Sequence, residues 1–291
     1  MGFDSQHRAY KLLLKQAGSY ISSIKPGEFE FDGNRSRYLE LGDGAALIFL
    51  HGLAGSKNQW RILMQAFGRK FRVIAPDVPG LCLTAPLQNS RHTFKQLTRW
   101  LDCLIDTLQL TDVHLVSHST SAPFASVYCA DQPERVSRLV LMSFPDVLAP
   151  TFSGQGEAYV KYREEVNFQS MEEWDAFFKR SFYQPLEFPT VMKRYNFDKF
   201  KKNQDLFLSV IDDVTAHQPL VMPRLRRIQA RTLVLNGDHD NFSNADFCHT
   251  LQAHLTKARH ITLSESGHMM VIDQRAKVTT AQNAFFLQPS I

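Results

Sequence analysis

The stretch His114-Leu115-Val116-Ser117-His118-Ser119-Thr120-Ser121-Ala122 decides how the rest of this 291-residue chain is read. The apolar run Val113 to Val116 predicts a strand buried on both faces, and it passes straight into a helical pattern with a serine at the junction. A sharp strand-to-helix turn lifts such a hydroxyl above the sheet and leaves the next backbone N–H, that of Thr120, free at a helix N-terminus. The usual form of this elbow is Gly-x-Ser-x-Gly, because side chains at the flanking positions crowd the turn. Here Ser117 and Ser121 stand at both flanks. Serine is small enough to fit, but serines and a threonine in a row also suit a helix N-cap cluster, so the stretch alone leaves both readings open.

Its surroundings separate them. Upstream, the apolar run Ala46 to Leu50 ends in His51-Gly52-Leu53-Ala54-Gly55-Ser56, a glycine-bearing loop in which the Leu53 N–H can serve as a second oxyanion donor beside Thr120. Ala75-Pro76-Asp77-Val78-Pro79-Gly80 follows another strand. Downstream, Leu235-Asn236-Gly237-Asp238-His239-Asp240 puts a carboxylate just beyond a strand, and Ser266-Gly267-His268 does the same for an imidazole. Serine, aspartate and histidine in that chain order match a nucleophile, its orienting acid and its base.

The same rhythm sets the fold. Continuous apolar runs at Ala46 to Leu50, Val73 to Ala75, Val113 to Val116, Leu139 to Met142 and Thr232 to Leu235 alternate with helical patterns such as Thr93 to Leu108. That alternation predicts a parallel sheet with right-handed crossovers. Phe29 to Phe31 and Tyr38 to Leu41, separated by Asp32-Gly33-Asn34, read as an opening hairpin, and Gln6 to Ile24 as an amphipathic helix. Between Phe144 and about Arg227 the strand rhythm gives way to a helix-rich stretch with Phe152, Tyr159, Trp174, Phe177, Phe178, Phe182, Tyr183 and Phe188. The rhythm resumes at Arg231, so this region reads as an excursion from the sheet. The expected organisation is a core first part at 1–143 with the N-terminal helix, a helical cap insertion at 144–227, and a core second part at 228–291. Most of the cap aromatics form its own small core on this reading, and a minority line an acyl slot.

With these four motifs in order, the chain resembles the α/β-hydrolase superfamily from about Phe29 to Leu287, and most closely its capped lipases and esterases of the monoacylglycerol-lipase-like kind. The resemblance implies an α/β-hydrolase fold with a mostly parallel central sheet flanked by helices and an inserted helical cap. It implies catalysis by Ser119 as nucleophile, His268 as base and Asp240 as acid, with Asp146 as the acid position of some relatives and Asp238 as a turn residue. His118, His239 and His260 read as structural. Two departures stand out: the elbow lacks both glycines, and Leu81-Cys82-Leu83-Thr84 follows Pro79-Gly80 where relatives often have x-Gly-x-Ser. The expected activity is hydrolysis of carboxylic esters with an apolar acyl group through an acyl-enzyme. Carbon–carbon bond hydrolysis or another acyl transfer on the same triad, and a ligand-binding relative without turnover, are the alternatives.

Composition narrows the remaining classes. Apolar residues at 44% and charged residues at 21% suit an ordinary folded chain, and a net charge of +4 is too small to mark nucleic-acid binding. Lys199, Lys201 and Lys202 read as one solvated helix face. Cys82, Cys103, Cys129 and Cys248 have neither zinc-ligand nor dithiol spacing, so no metal and no cofactor are expected. No signal-peptide pattern and no transmembrane run are read, which predicts a cytoplasmic, reducing location.

Overall fold

Turn chemistry at Asp32 and Gly33, both with positive φ (46° and 72°), joins β1 (Lys25–Phe31) to β2 (Asn34–Leu41) as a tight antiparallel hairpin. The computed structural model describes residues 23–82, 93–146, 157–243, 245–255 and 257–287. The expected helix over Gln6 to Ile24 therefore lies outside the described residues, apart from its last two positions.

After the hairpin come β3 (Ala45–Leu50), a 3-10 turn (Lys57–Trp60), α1 (Arg61–Phe67), β4 (Phe71–Pro76), α2 (Phe94–Thr107), β5 (Val113–His118), α3 (Ser121–Asp131) and β6 (Val136–Met142). Four helices follow, α4 (Glu157–Val166), α5 (Met171–Lys179), α6 (Thr190–Lys202) and α7 (Gln204–Leu225), before β7 (Arg231–Gly237). The chain closes with α8 (Ala245–His254), β8 (Arg259–Leu263), α9 (Met270–Asp273) and α10 (Arg275–Phe286). The strands form one eight-stranded sheet in the order β1-β2-β4-β3-β5-β6-β7-β8. β2 runs antiparallel to both its neighbours, and every pairing from β4 to β8 is parallel. β6 pairs directly with β7, so the chain leaves the sheet, passes through four helices among the described residues, and returns to the adjacent position.

The period-2 geometry of a strand explains why the central runs are apolar without a break. In β3, Ile48 and Leu50 enter one core with α2 and α3, while Leu47 and Phe49 enter the other with Trp60, α1 and α10. α2 shows the complementary helical logic. Phe94, Leu97, Trp100, Leu101, Leu104 and Ile105 are its buried stripe, and Thr93 caps it by accepting from the Gln96 N–H at 3.3 Å. Trp100 also donates its indole N–H to Ser36 at 3.1 Å, tying α2 to the hairpin.

Parallel strands of this kind end along one edge, and loops cross there in backbone contact. A Cβ at Gly237, the last residue of β7, would lie 2.1 Å from the Ser266 carbonyl oxygen and 2.8 Å from that of Gly267. Only a residue without a side chain lets the 264–269 loop close over the end of β7. Gly237→Ala is therefore expected to destabilise the fold by about 1–3 kcal/mol, the usual cost of overpacking. A urea midpoint below that of the parent chain would show it, and an unchanged midpoint would contradict the close approach.

Candidate active site

Ser119 sits in the left-handed region at φ +55°, between the end of β5 and the start of α3. That conformation costs a non-glycine residue on the order of 1–3 kcal/mol and persists only when the surroundings enforce it. They do so on several sides. The Ser119 N–H donates to the Met142 carbonyl at the end of β6 (2.9 Å), and its own carbonyl accepts from Ala122 N–H (2.7 Å). The flanking serines fill the space that glycines would leave open. Ser121 Oγ accepts from the His118 N–H at 3.2 Å and lies 2.9 Å from the His118 carbonyl and 3.2 Å from that of Leu50. Ser117 Oγ donates to Val140 O at 3.4 Å. A glycine-free elbow is thus stitched to β3 and β6 by side-chain hydrogen bonds.

The loop after β3 presses on the same serine. A Cβ at Gly52 would meet Ser119 Cβ at 2.7 Å, so glycine is required for the approach. His51 fixes the loop by donating from Nδ1 to Gly52 O (2.8 Å) and accepting at Nε2 from the Val78 N–H (2.9 Å). Complete burial lowers the His51 pKa, which keeps the ring in the neutral form this pattern needs. Asp77, paired with the Lys57 ammonium and accepting from the Lys57 N–H at 2.9 Å, holds the next turn. Burial pushes its carboxyl up, and Lys57 more than reverses that. Among the described residues, neither the Leu53 nor the Thr120 N–H has a hydrogen-bond partner.

His268 comes from the loop after β8. Three contacts anchor that loop: Ser266 N–H to Asp238 Oδ1 (3.1 Å), Gly267 N–H to Asp273 Oδ2 (2.8 Å) and Met269 N–H to Ser181 O (2.8 Å). The imidazole Nδ1–H faces both Asp240 carboxylate oxygens at 3.0 and 3.1 Å, and Nε2 accepts from the Ser119 hydroxyl at 2.8 Å. The Asp240 side chain is fully buried. Burial raises its pKa, yet His268 and the Phe242 N–H (2.9 Å to Oδ1) outweigh this and leave it below the ordinary carboxylate value. Phe242 also packs edge-on against the imidazole, with centroids 4.9 Å apart.

The structure therefore brings Ser119, His268 and Asp240 into one hydrogen-bonded line, with Leu53 and Thr120 beside it. Asp146 follows β6, where its N–H pairs with Phe242 O at 2.9 Å, and His268 Nδ1 faces Asp240. Asp238 bonds His239 (2.7 Å) and the Ser266 N–H, so this turn residue also anchors the loop of His268. Two contributors escaped the sequence reading. The His268 carbonyl accepts from His118 Nε2–H at 2.9 Å and from Ser143 Oγ at 3.1 Å. Ser143, fully buried at φ +48°, directly follows β6 beside the elbow, and only its position after an apolar run hinted at it.

Above the serine lies a cavity of about 270 Å³. Ser119 and His268 line its base, and Trp174, Phe177, Phe200 and Phe242 are among its apolar walls. Phe168 links the helices by packing on Phe177 and Phe200 at 5.2 and 5.1 Å between centroids, and Phe177 reaches Phe242 at 5.3 Å. Among the described residues, His51, Asp77 and Cys82 bring potential metal-ligand atoms within 4.8 Å. Both His51 nitrogens and the Asp77 carboxylate are already engaged by the protein, so the set does not fit a metal. Among the described residues, no helix is long and apolar enough to cross a membrane.

The chain is 25% identical over 244 residues to the 2-hydroxy-6-oxo-6-phenylhexa-2,4-dienoate hydrolase of Comamonas testosteroni, covering 79% of this chain and 84% of that protein. It is 27% identical over 158 residues to the dihydrolipoyllysine-residue acetyltransferase component of the acetoin cleaving system of Cupriavidus necator, covering 54% of this chain and about two fifths (42%) of that longer protein. Its fold superposes on a bacterial membrane phospholipase A with a TM-score of 0.81 at 18% identity, covering 96% of this chain and 91% of that one. A family model of the alpha/beta hydrolase fold matches residues 45–274, which span the strands from β3 to β8 and all the residues of the hydrogen-bonded line. The chain belongs to the α/β-hydrolase fold family.

Proposed function

We propose that this chain is a serine hydrolase of carboxylic esters, and the observation that carries the reading is the line Ser119, His268, Asp240 at the base of an aromatic cavity. Ser119 Oγ attacks the ester carbonyl while His268 Nε2 takes its proton. The carbonyl oxygen becomes an oxyanion that the Leu53 and Thr120 N–H groups stabilise, worth about 2.7–4 kcal/mol for one such donor in a protease. Collapse expels the alcohol, protonated by His268, and leaves an acyl-serine. Water, deprotonated by the same imidazole, then releases the acid and regenerates Ser119. Asp240 remains ionised throughout, holding the Nδ1–H tautomer and stabilising the imidazolium.

The helices α4 to α7 act as a cap in this reading, and their aromatics receive the acyl chain. The cavity of about 270 Å³, just below the roughly 300–1,000 Å³ typical of ligand pockets, favours short to medium acyl groups. The α/β-hydrolase membership and the likeness to a phospholipase A fold support this assignment. A second reading, carbon–carbon bond hydrolysis on the same residues, draws on the likeness to the dienoate hydrolase of Comamonas testosteroni. A panel of aryl esters and vinylogous 1,5-diketones separates the two, since ester hydrolysis dominates on the first reading and diketone cleavage on the second.

The assignments make distinct kinetic demands. Ser119→Ala should abolish ester hydrolysis while leaving thermal unfolding close to that of the parent, and near-full activity would remove Ser119 as the nucleophile. Asp240→Asn preserves shape but loses both the tautomer control and the charge, a change that lowered turnover about ten-thousand-fold in a protease triad. We expect Asp240→Asn to be severely impaired in kcat and Asp146→Asn to be mildly affected. The opposite ranking would move the acid to the end of β6.

Acyl selection provides a separate test. Phe177→Leu and Phe200→Leu widen the cavity, so the preference between short and longer aryl esters should move toward the longer chains, while the acetyl ester changes little. Each methylene in an apolar pocket is worth about 1–3 kcal/mol, an effect easily resolved in kcat/KM. An unaltered chain-length profile would make these rings core of the cap and nothing more.

A further inference from the structure

The base is held to the nucleophile at two points. One is the Ser119 Oγ–H to His268 Nε2 hydrogen bond at 2.8 Å. The other runs in the same sense, from the elbow to residue 268: His118, covalently next to Ser119, donates from Nε2 to the backbone carbonyl of His268 at 2.9 Å. Residues 118 and 119 thus grip residue 268 by its backbone and by its ring, closing a small cycle through the elbow peptide. A single contact to a ring lets the loop that carries it swing about that contact, whereas two contacts on different parts of one residue remove that freedom.

The remaining contacts of His118 fix its ring in that pose. It is buried between the edge of Trp60, with centroids 6.3 Å apart, and the His268 imidazole at 5.0 Å. In a neutral ring, donation from Nε2 requires the tautomer with the proton on that nitrogen. Burial pushes its pKa down to about 3, so the ring stays neutral wherever the base can work. The second lone pair of the His268 carbonyl accepts from Ser143 Oγ at 3.1 Å, at the end of β6. Ser143 has one hydroxyl proton and also lies against the Asp240 carboxylate, so the His118 N–H is the undivided donor to the carbonyl on which the imidazole is built.

We propose that His118 is a positioning residue that sets the distance and direction of His268 Nε2 from Ser119 Oγ by holding the His268 carbonyl. The proposal rests on the reading above that Ser119 and His268 perform the chemistry. His118 touches neither the acyl carbon nor the transferred proton in this account; it acts through His268. The elbow residue before the nucleophile, read from sequence as structural, thereby becomes part of the machinery that keeps nucleophile and base in register.

Two substitutions separate this role from packing. His118→Phe keeps an aromatic ring against Trp60 and His268 but removes the Nε2–H, and His118→Gln returns an N–H at a similar reach. On the aryl ester that the parent chain hydrolyses best, His118→Phe should lower kcat by roughly ten- to a hundredfold with KM little changed, since a displaced base costs turnover and not binding. His118→Gln should recover most of that loss. Hydrogen exchange of the 264–269 segment, which depends on no chemistry, should accelerate in His118→Phe and not in His118→Gln, with both melting temperatures near the parent value. Full kcat in the Phe variant, equal losses in both variants, or unchanged exchange of 264–269 would overturn the proposal. If the parent hydrolyses no ester, the functional reading fails, and the exchange comparison alone decides whether His118 holds the loop.

Discussion

Everything at this site depends on one strained turn. Ser119 adopts φ +55° because β5 must hand over to α3 within two residues, and the strain is borne by contacts from three sides: Met142 O from β6, the Gly52 approach from the loop after β3, and the Ser117 and Ser121 hydroxyls within the elbow. Parallel strands bring this about naturally. Their ends share one edge, so the residues after β3, β5, β7 and β8 meet although they lie as far apart as 51 and 268 in sequence. The cores on either face hold the strands in place, and the edge inherits that rigidity.

Electrostatics at the edge follows from burial. A fully buried carboxylate is costly unless it is hydrogen-bonded, and Asp240 receives His268 Nδ1–H and the Phe242 N–H. His51 and His118 show the converse case, in which burial keeps imidazoles neutral so that they serve as fixed donors and acceptors for backbone groups. Of the four histidines at or near the site, His239 alone is largely exposed, and it bonds the turn residue Asp238. One residue type thus fills distinct roles according to what surrounds each ring.

Much of this was legible from the sequence, because the relevant signals are local. Continuous apolar runs marked strands buried on both faces, and the strand-end motifs placed Ser119, Asp240 and His268 at the shared edge. Resemblance ranked Asp240 above Asp146, and in the structure both Asp240 oxygens face His268 Nδ1. What was not legible depends on long-range contacts with no periodic signature. The His118 and Ser143 bonds to the His268 carbonyl join positions more than a hundred residues apart, and nothing in a histidine or serine after an apolar run specifies which carbonyl it will find. The hydrogen bonds that compensate for the absent elbow glycines were hidden for the same reason, since a serine at a crowded turn reads as a defect until its partners are seen.

The central claim is that Ser119 is an activated nucleophile, and covalent trapping tests it most directly. A fluorophosphonate reacts only with a serine whose proton a neighbouring base can remove, so intact-mass measurement followed by peptide mapping reports on the whole hydrogen-bonded line at once. The account predicts one adduct per chain, located on Ser119 and lost in Ser119→Ala. An unlabelled parent chain, or an adduct that persists in the alanine variant, would contradict it.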